Sequence, residues 1–430
     1  MVNNEILVYA LGKLKDQVEK SQCYVSQSKK YELNLENGEM SLLRTTLDNT
    51  FGITIINNHK KGNITLNKTD TQSVDDAIIS IIDICESSEV DTAFDIAPFQ
   101  QSKVFALGDQ APDLDKMYDL LNQYAKEVKD KYPTIKLMDT AISFTLTKKY
   151  LMNSNGVDFT EALGTYNFSS VFAAKSGNKS SSFNYSGYYL RQLENDLLSY
   201  GSINKVLKET TEQIETNCIE GKFKGEVILS PDCMGEFISN YINTYLTDVP
   251  LISKTSLLKD KLNEQVANPI FTLHSKPRSE KITKGYNITG DGFEAEDMTI
   301  IDKGRLNSFV LSLYGANKTG LERSKNTGGC FIVDPGETSI EEMIKSVDKG
   351  VLVNRVSGGH PNDNGDLSVV LKNSYYIEHG EIKFPLNETM ISLNLNEAFK
   401  NINQVSKETI DFGSDIFPYV KVKDVLISGK

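Results

Sequence analysis

The side chains that most often carry hydrolytic or metal chemistry are few and scattered. Histidine occurs four times in 430 residues, at His59, His274, His360 and His379, and no two lie within five positions of each other. A zinc helix of the HExxH kind needs two imidazoles a turn apart, with a glutamate between them as general base. No stretch of this chain has that spacing. The five cysteines, Cys23, Cys85, Cys218, Cys233 and Cys330, are odd in number, widely spaced and without a CxxC pair. Such a set argues for free thiols over a disulfide framework or a structural zinc site. The stretch "HPNDNGD" at 360–366 has the look of a calcium loop. Yet His360 replaces the first Asp and Leu371 replaces the bidentate Glu, so it reads as a hairpin turn on Asn364-Gly365. "GDGFEA" at 290–295 mimics a dinucleotide fingerprint, but its continuation "EDMTIIDKG" is strand-like. The helix whose N-terminus would hold a pyrophosphate is missing. There is no GxSxG elbow and no GxxxxGK[ST] loop. Lone carboxylates such as Glu236 and Asp366 read as solvated or capping groups.

The elements that would position these residues follow from periodicity. Leu7, Ala10, Leu11 and Leu14 have helical spacing, and strand-like pieces "CYVSQ", "YELNLEN" and "FGITIINN" come next, separated by turn-rich segments. "SVDDAIISIIDICESS" predicts a helix with Ser73 as N-cap and Asp75 and Asp76 in the first turn. Asp113 to Tyr132 predicts another, stopped by Pro133. From about Ile135 to Tyr189, alternation such as Ile142, Phe144 and Leu146 predicts long strands, with "NSNG" at 153–156 as a tight turn. A linker helix is expected over about 191–218, with Ile203, Val206 and Leu207 on one face. The second half opens with the strand "GEVILS" and the helix "GEFISNYINTYL" at 235–246. Short strands and glycine-rich turns follow, interrupted by a helix with a Ser339–Glu342 capping box and Gly350 at its stop. The expected architecture is α+β in two domains. One is a 1–220 α/β domain with mixed sheet and helices, ending in the linker helix. The other is a β-rich 221–430 domain with a few helices.

Composition sets the class. A hydrophobic share of 39% with 24% charged residues is ordinary for a soluble chain. The net charge of −12, with no basic stretch to offset it, argues against direct nucleic-acid binding. No run approaches the ~18 apolar residues that a spanning helix needs. The N-terminus carries Glu5 and lacks a basic region before an apolar block, so it reads as an amphipathic helix and not as a signal peptide. A cytoplasmic location without membrane contact is expected.

Several stretches, in this order, resemble the TldD/PmbA family, formerly called modulators of DNA gyrase. They are "YLMNSNGVDFTEALGTYNFSSVFAAKSG", "SKTSLLKDKLNEQVANPIFTL", "TIIDKGRLNSFVLSLYGANKTG", "DPGETSIEEMIKSVDKGVLV", "GGHPNDNGDLSVVLKNSYYIEHGEIKFP" and "FPYVKVKDVLISGK". The resemblance spans essentially the whole chain. It implies one of two kinds of subunit. The TldD kind is a zinc peptidase in which HExxxH supplies two ligands and a base, and a cysteine near the C-terminus completes the site. The TldE/PmbA kind lacks these groups and pairs with it.

By that resemblance, Ser239 and Thr244 stand at the two histidine positions, Asn240 at the glutamate and Phe412 at the cysteine. The resemblance therefore implies a chain with no catalytic residue and no cofactor of its own. Zinc is expected on a TldD-type partner carrying HExxxH, in a heterodimer, with a homodimer as the alternative. The implied substrates are unfolded or short peptides, and Gly358, Gly359, His360, Asn364 and Gly365 are candidate channel-lining residues. One departure from the family pattern is Asp297, in "FEAEDMTIIDKG", where the family often has an acidic pair followed by Gly. Two other readings stay open: an independent enzyme with Cys233 as thiol nucleophile and a distant histidine as base, or a non-enzymatic interaction protein.

Overall fold

Alternating apolar and polar residues in the first half build a sheet of unusually long strands. The computed structural model describes residues 3–194 and 196–430. Its first sheet comprises β1 (Lys20–Glu36), β2 (Glu39–Asn57), β3 (Lys60–Leu66), β4 (Lys103–Leu107), β5 (Ile135–Asn153), β6 (Asp158–Ser176), β7 (Lys179–Ser180) and β8 (Asn184–Leu190). The order is β3-β2-β1-β5-β6-β4, with β8 pairing β6 beyond the end of β4. The sheet is mixed because β4 runs parallel to β6. Tyr166, Phe168, Phe172 and Ala174 fall at even positions of β6 and are buried, as a half-covered strand requires.

Helices close that face. α1 (Asn3–Leu14) and α2 (Thr71–Ser87) bury Leu7, Ala10, Ile78 and Ile81 against Val25, Phe51 and Ile53. α3 (Leu114–Lys131) sets Leu121 and Tyr124 on Phe144 and Phe168. The Tyr124 and Phe168 rings meet edge to face at 4.9 Å, an arrangement aromatic quadrupoles favour.

The second sheet has β9 (Lys222–Leu229) and β21 (Ile416–Ser428) at its centre. On one side lie β13 (Phe331–Val333), β10 (Leu273–Ser275), β11 (Met298–Asp302) and β12 (Arg305–Leu306). On the other lie β14 (Lys349–Val353), β17 (Tyr375–Glu378) and β18 (Glu381–Pro385). β15 (Arg355–Ser357), β16 (Asp366–Lys372), β19 (Met390–Asn394) and β20 (Ile402–Asp411) join through β21. α5 (Pro231–Tyr245) packs into this domain's core, beside α6 (Asp248–Ile252), α7 (Leu313–Thr319) and α9 (Leu395–Lys400), and α8 (Ile340–Lys345) precedes β14. Between the two sheets runs α4 (Ile203–Glu212). Its apolar residues Ile203, Val206 and Leu207 belong to the first domain's core, while Lys205 reaches residues of the second. The architecture is thus two-domain α+β, an N-terminal mixed sheet with helices followed by a β-rich half. Among the described residues no helix is long and apolar enough to cross a membrane.

Four sequence expectations need correction. "CYVSQ" and "YELNLEN" are not separate strands: both lie in β1, whose polar middle is paired on both sides. The N-cap of α2 is Asp70 and not Ser73; its carboxylate accepts from the Ser73 backbone N–H at 2.9 Å. The linker helix over 191–218 is a single 3-10 turn, Leu197–Ser199, followed by the shorter α4; Gly201, at φ +55, separates them. Residue 195 of that stretch lies outside the described residues. The capping box of α8 forms as expected, but the helix ends at Ser346 and Gly350 lies in β14. There a Cβ would collide with the Glu226 carbonyl of the parallel neighbour β9, so Gly350 serves close strand approach.

Candidate functional site

α5 is built to be held firmly. Its strand β9 ends in buried Val227, Ile228 and Leu229, and Pro231 occupies the first helical turn, where a missing N–H costs nothing. Cys233, Met234, Phe237, Ile238, Tyr241, Ile242 and Tyr245 are all buried, a stripe of helical period. Tyr241 stacks on Phe399 with ring centres 4.1 Å apart. The opposite face carries exposed Ser239 and half-buried Asn240 and Thr244.

A glycine-rich loop between β15 and β16 leans on this helix. The Tyr245 hydroxyl donates to the Asn364 carbonyl at 2.9 Å. Gly365 sits at φ +87 directly against that hydroxyl, where any Cβ would collide, so the position admits only glycine without rearrangement. Gly358 and Gly359 have φ of +73 and +80. Inside the loop the Asn362 side chain accepts from the backbone N–H groups of Asn364 (3.0 Å) and Asp366 (2.9 Å), an Asx-type clasp. Hydrogen bonds from Asn394 and Asn362 hold the Asp366 carboxyl below its ordinary range. His360 comes close enough to Glu236 on α5 for their charges to interact: burial raises the Glu236 pKa and His360 opposes it. The structure thus sets the loop carrying Gly358, Gly359, His360, Asn364 and Gly365 alongside α5.

Phe412 is not on this helix. It lies in the turn joining β20 and β21, and its carbonyl accepts from the Tyr189 N–H of β8 at 2.9 Å. With Asp232 it lines a cavity of about 180 Å³ at the first turn of α5. Ser239 is seven residues further along, roughly 10 Å of helix rise from Asp232. A zinc centre takes neutral imidazole, thiolate or carboxylate ligands. Ser239, Asn240, Thr244 and Phe412 offer two hydroxyls, an amide and a phenyl ring, a set that does not fit the ion. Among the described residues no group of three or more His, Cys, Asp or Glu is gathered as a metal would require.

One buried charge cluster was not apparent in sequence. At the seam between the domains Lys205 Nζ lies 3.3 Å from Glu209 and 3.5 Å from Asp232, and donates to Asn354 Oδ1 at 3.3 Å. The Ser202 hydroxyl also bonds Asp232. Burial works against the Lys205 charge, yet Glu209 and Asp232 outweigh it and its pKa rises. Burial pushes Glu209 up to about 7, more than Lys205 restores. The i, i+4 spacing of Lys205 and Glu209 was readable as a helix pair; Asp232 and Asn354, brought by the second domain, were not.

The remaining candidates have structural roles. Cys233 Sγ lies within 3.4 Å of the Ser230 and Val353 carbonyls, and burial pushes its thiol up to about 12. A reactive thiol needs the reverse shift. In "GDGFEA", Asp291 takes both Arg323 Nε (2.9 Å) and Nη2 (2.8 Å) and the Leu313 N–H, tying this loop to α7. His274 bonds Thr299 and Asp334, and His379 bonds Asp348, in separate parts of the second domain.

Comparison with known proteins agrees with this geometry. Residues 222–429 match the PmbA/TldA metallopeptidase C-terminal domain, and residues 22–85 match the PmbA/TldA metallopeptidase domain 1. The Escherichia coli metalloprotease PmbA is 23% identical over 424 residues, covering 93% of this chain and 91% of that protein. The fold superposes on TldE from Thermococcus kodakarensis with a TM-score of 0.83 at 18% identity, covering 99% of both chains. A proposed modulator of DNA gyrase from Bacteroides thetaiotaomicron gives a TM-score of 0.85 at 20% identity, covering 100% of this chain and 99% of that one. Such identities carry the fold alone, but the two domain matches go further: this chain belongs to the TldD/PmbA family of metallopeptidases.

Proposed function

We propose that this chain is the non-catalytic subunit of a two-chain zinc peptidase acting on unfolded or short peptides in the cytoplasm. The observation that carries the reading is the outer face of α5. Ser239, Asn240 and Thr244 occupy it where the resemblance puts the HExxxH groups of the catalytic kind, so a metal and its base must come from a TldD-type partner. The buried, high-pKa Cys233 weighs against an independent thiol enzyme. In this reading the division near residue 220 separates a pairing domain from a peptide-handling one. The outer edge of β2 supports pairing: β3 covers only Phe51–Asn57, leaving Glu39 to Thr50 bonded on one side. Leu43 and Leu47 are 63% and 70% exposed there. An unpaired edge with apolar side chains is a template for another chain.

The test is elemental analysis after zinc loading, on the chain alone and co-expressed with an HExxxH-bearing relative. The expected result is near-zero zinc alone, about one zinc per pair, and peptide hydrolysis by the pair only. A histidine-dependent zinc on the isolated chain would overturn the reading. Co-expression that yields only homodimers would replace the heterodimer with a self-paired protein.

A further inference from the structure

Arg355 opens β15 and is half-buried, yet among the described residues no carboxylate pairs with it. Its Nε is enclosed and has no hydrogen-bond partner. Its company is aromatic: the guanidinium carbon lies 4.9 Å from the ring centre of Phe183 and 5.4 Å from that of Tyr185. Both rings are more than half exposed, 55% and 56%. Burial lowers the Arg355 pKa, with Tyr185 the opposing influence. A desolvated guanidinium without a counter-charge is costly to keep, and two large exposed rings beside it add apolar surface that the fold leaves uncovered.

Arg355 and Tyr185 line the 180 Å³ cavity already described, whose walls come from both domains: Tyr185 and Ser186 from β8, Arg355 from β15, Asp232 from α5, and Phe412. Two of the other polar side chains are already engaged. Asp232 is held by Ser202 and Lys205, and Ser186 bonds Ser202 at 3.0 Å. Asn354 has its Oδ1 on Lys205, while its Nδ2 is enclosed and without a hydrogen-bond partner. Arg355 is therefore the charged group in this wall that has its pairing capacity left, and its planar fork suits a carboxylate. The space is of the order of one residue, with Phe412 and Tyr185 in its lining and Phe183 beside Arg355 as apolar surface for a side chain.

We propose that this seam cavity is a carboxylate site that receives the C-terminal carboxylate of a short peptide. Arg355 supplies the charge and the aromatic rings supply the contact surface. The choice of a peptide as the carboxylate's bearer rests on the peptide-handling reading above; the carboxylate chemistry does not.

The experiment is calorimetric titration of the full chain with the tripeptide Ala-Ala-Phe, with its C-terminal amide, and with acetate. The free acid should bind about ten- to a hundred-fold more tightly than the amide, the span expected for a charge-assisted hydrogen bond. Arg355→Met should remove that preference, and Arg355→Lys should retain part of it. Phe183→Ala, at an exposed ring, should weaken the acid without abolishing the preference. Acid and amide binding alike to the unsubstituted chain would overturn the site whatever the variants do. Acetate binding as tightly as the tripeptide would overturn the peptide assignment. A chain that keeps the acid preference but never pairs with an HExxxH subunit would sink the subunit reading and leave this one standing. A chain that pairs but cannot tell acid from amide would do the opposite.

Discussion

Glu209 shows what the seam does to a single residue. Its ordinary carboxyl pKa of 4.5 is pushed up to about 7 by burial, with Lys205 and Asp232 as neighbours of opposite effect. The folded chain therefore keeps a proton that the unfolded chain gives up as pH rises from about 4.5 towards 7. Stability from this group is fully present below about 4.5 and declines as pH rises through about 7. Glu209→Gln should abolish that decline, so the difference in Tm between variant and parent should grow by a few degrees from pH 5 to pH 8 in thermal unfolding. A constant difference would mean that Glu209 is ionised throughout. Cys233 is the contrasting case. Its thiol, enclosed between Ser230 and Val353 carbonyls, should resist alkylation in the folded chain at pH 7, as mass spectrometry of the quenched mixture would show, and react only after denaturation.

At the scale of elements, α5 and the loop 358–365 act as one unit joined at Tyr245 and Gly365. Gly365→Ala puts a side chain at φ +87 against the Tyr245 ring. It should cost on the order of 1–3 kcal/mol in urea denaturation and displace His360 from Glu236. An unchanged midpoint would show that the loop can move aside freely. The buried stripe of α5 was legible from Phe237, Ile238, Tyr241, Ile242 and Tyr245, because helical period and apolar character point the same way. A polar loop before β16 was legible too, but its tight turn centres on Asp363 and Asn364, closed by the Gly365 N–H on the Asn362 carbonyl, and not on Asn364-Gly365. Two of the misread elements were settled by partners distant in sequence. β1 continues through "SQSKKYE" because both its edges are paired, which outweighs its polar middle. Gly350 looks like a helix stop until β9 is laid beside it. For the same reason the pieces around Arg355 could not be assembled in advance: its ring neighbours are more than 160 residues away in the chain, in β8 and just before it.

The whole molecule is two sheets joined by a polar seam, with part of the β2 edge left open among the described residues. Leu43 and Leu47 lie on one face of β2 and are both exposed. Replacing both with lysine should leave the chain's own Tm within a few degrees, as surface changes usually do. The same change should break assembly with a partner, as light scattering after size exclusion would report. Assembly that survives would move the interface away from this edge.

That bare edge also bears on how much of the protein a cell can hold. A solitary copy offers the same open strand to other solitary copies, and association of that kind rises steeply with concentration. A chain whose edge is covered only in company is therefore sensitive to gene dosage. In the heterodimer proposed above, surplus over the companion would be the fraction that clumps or is degraded, so the supply of one chain would set the useful supply of the other.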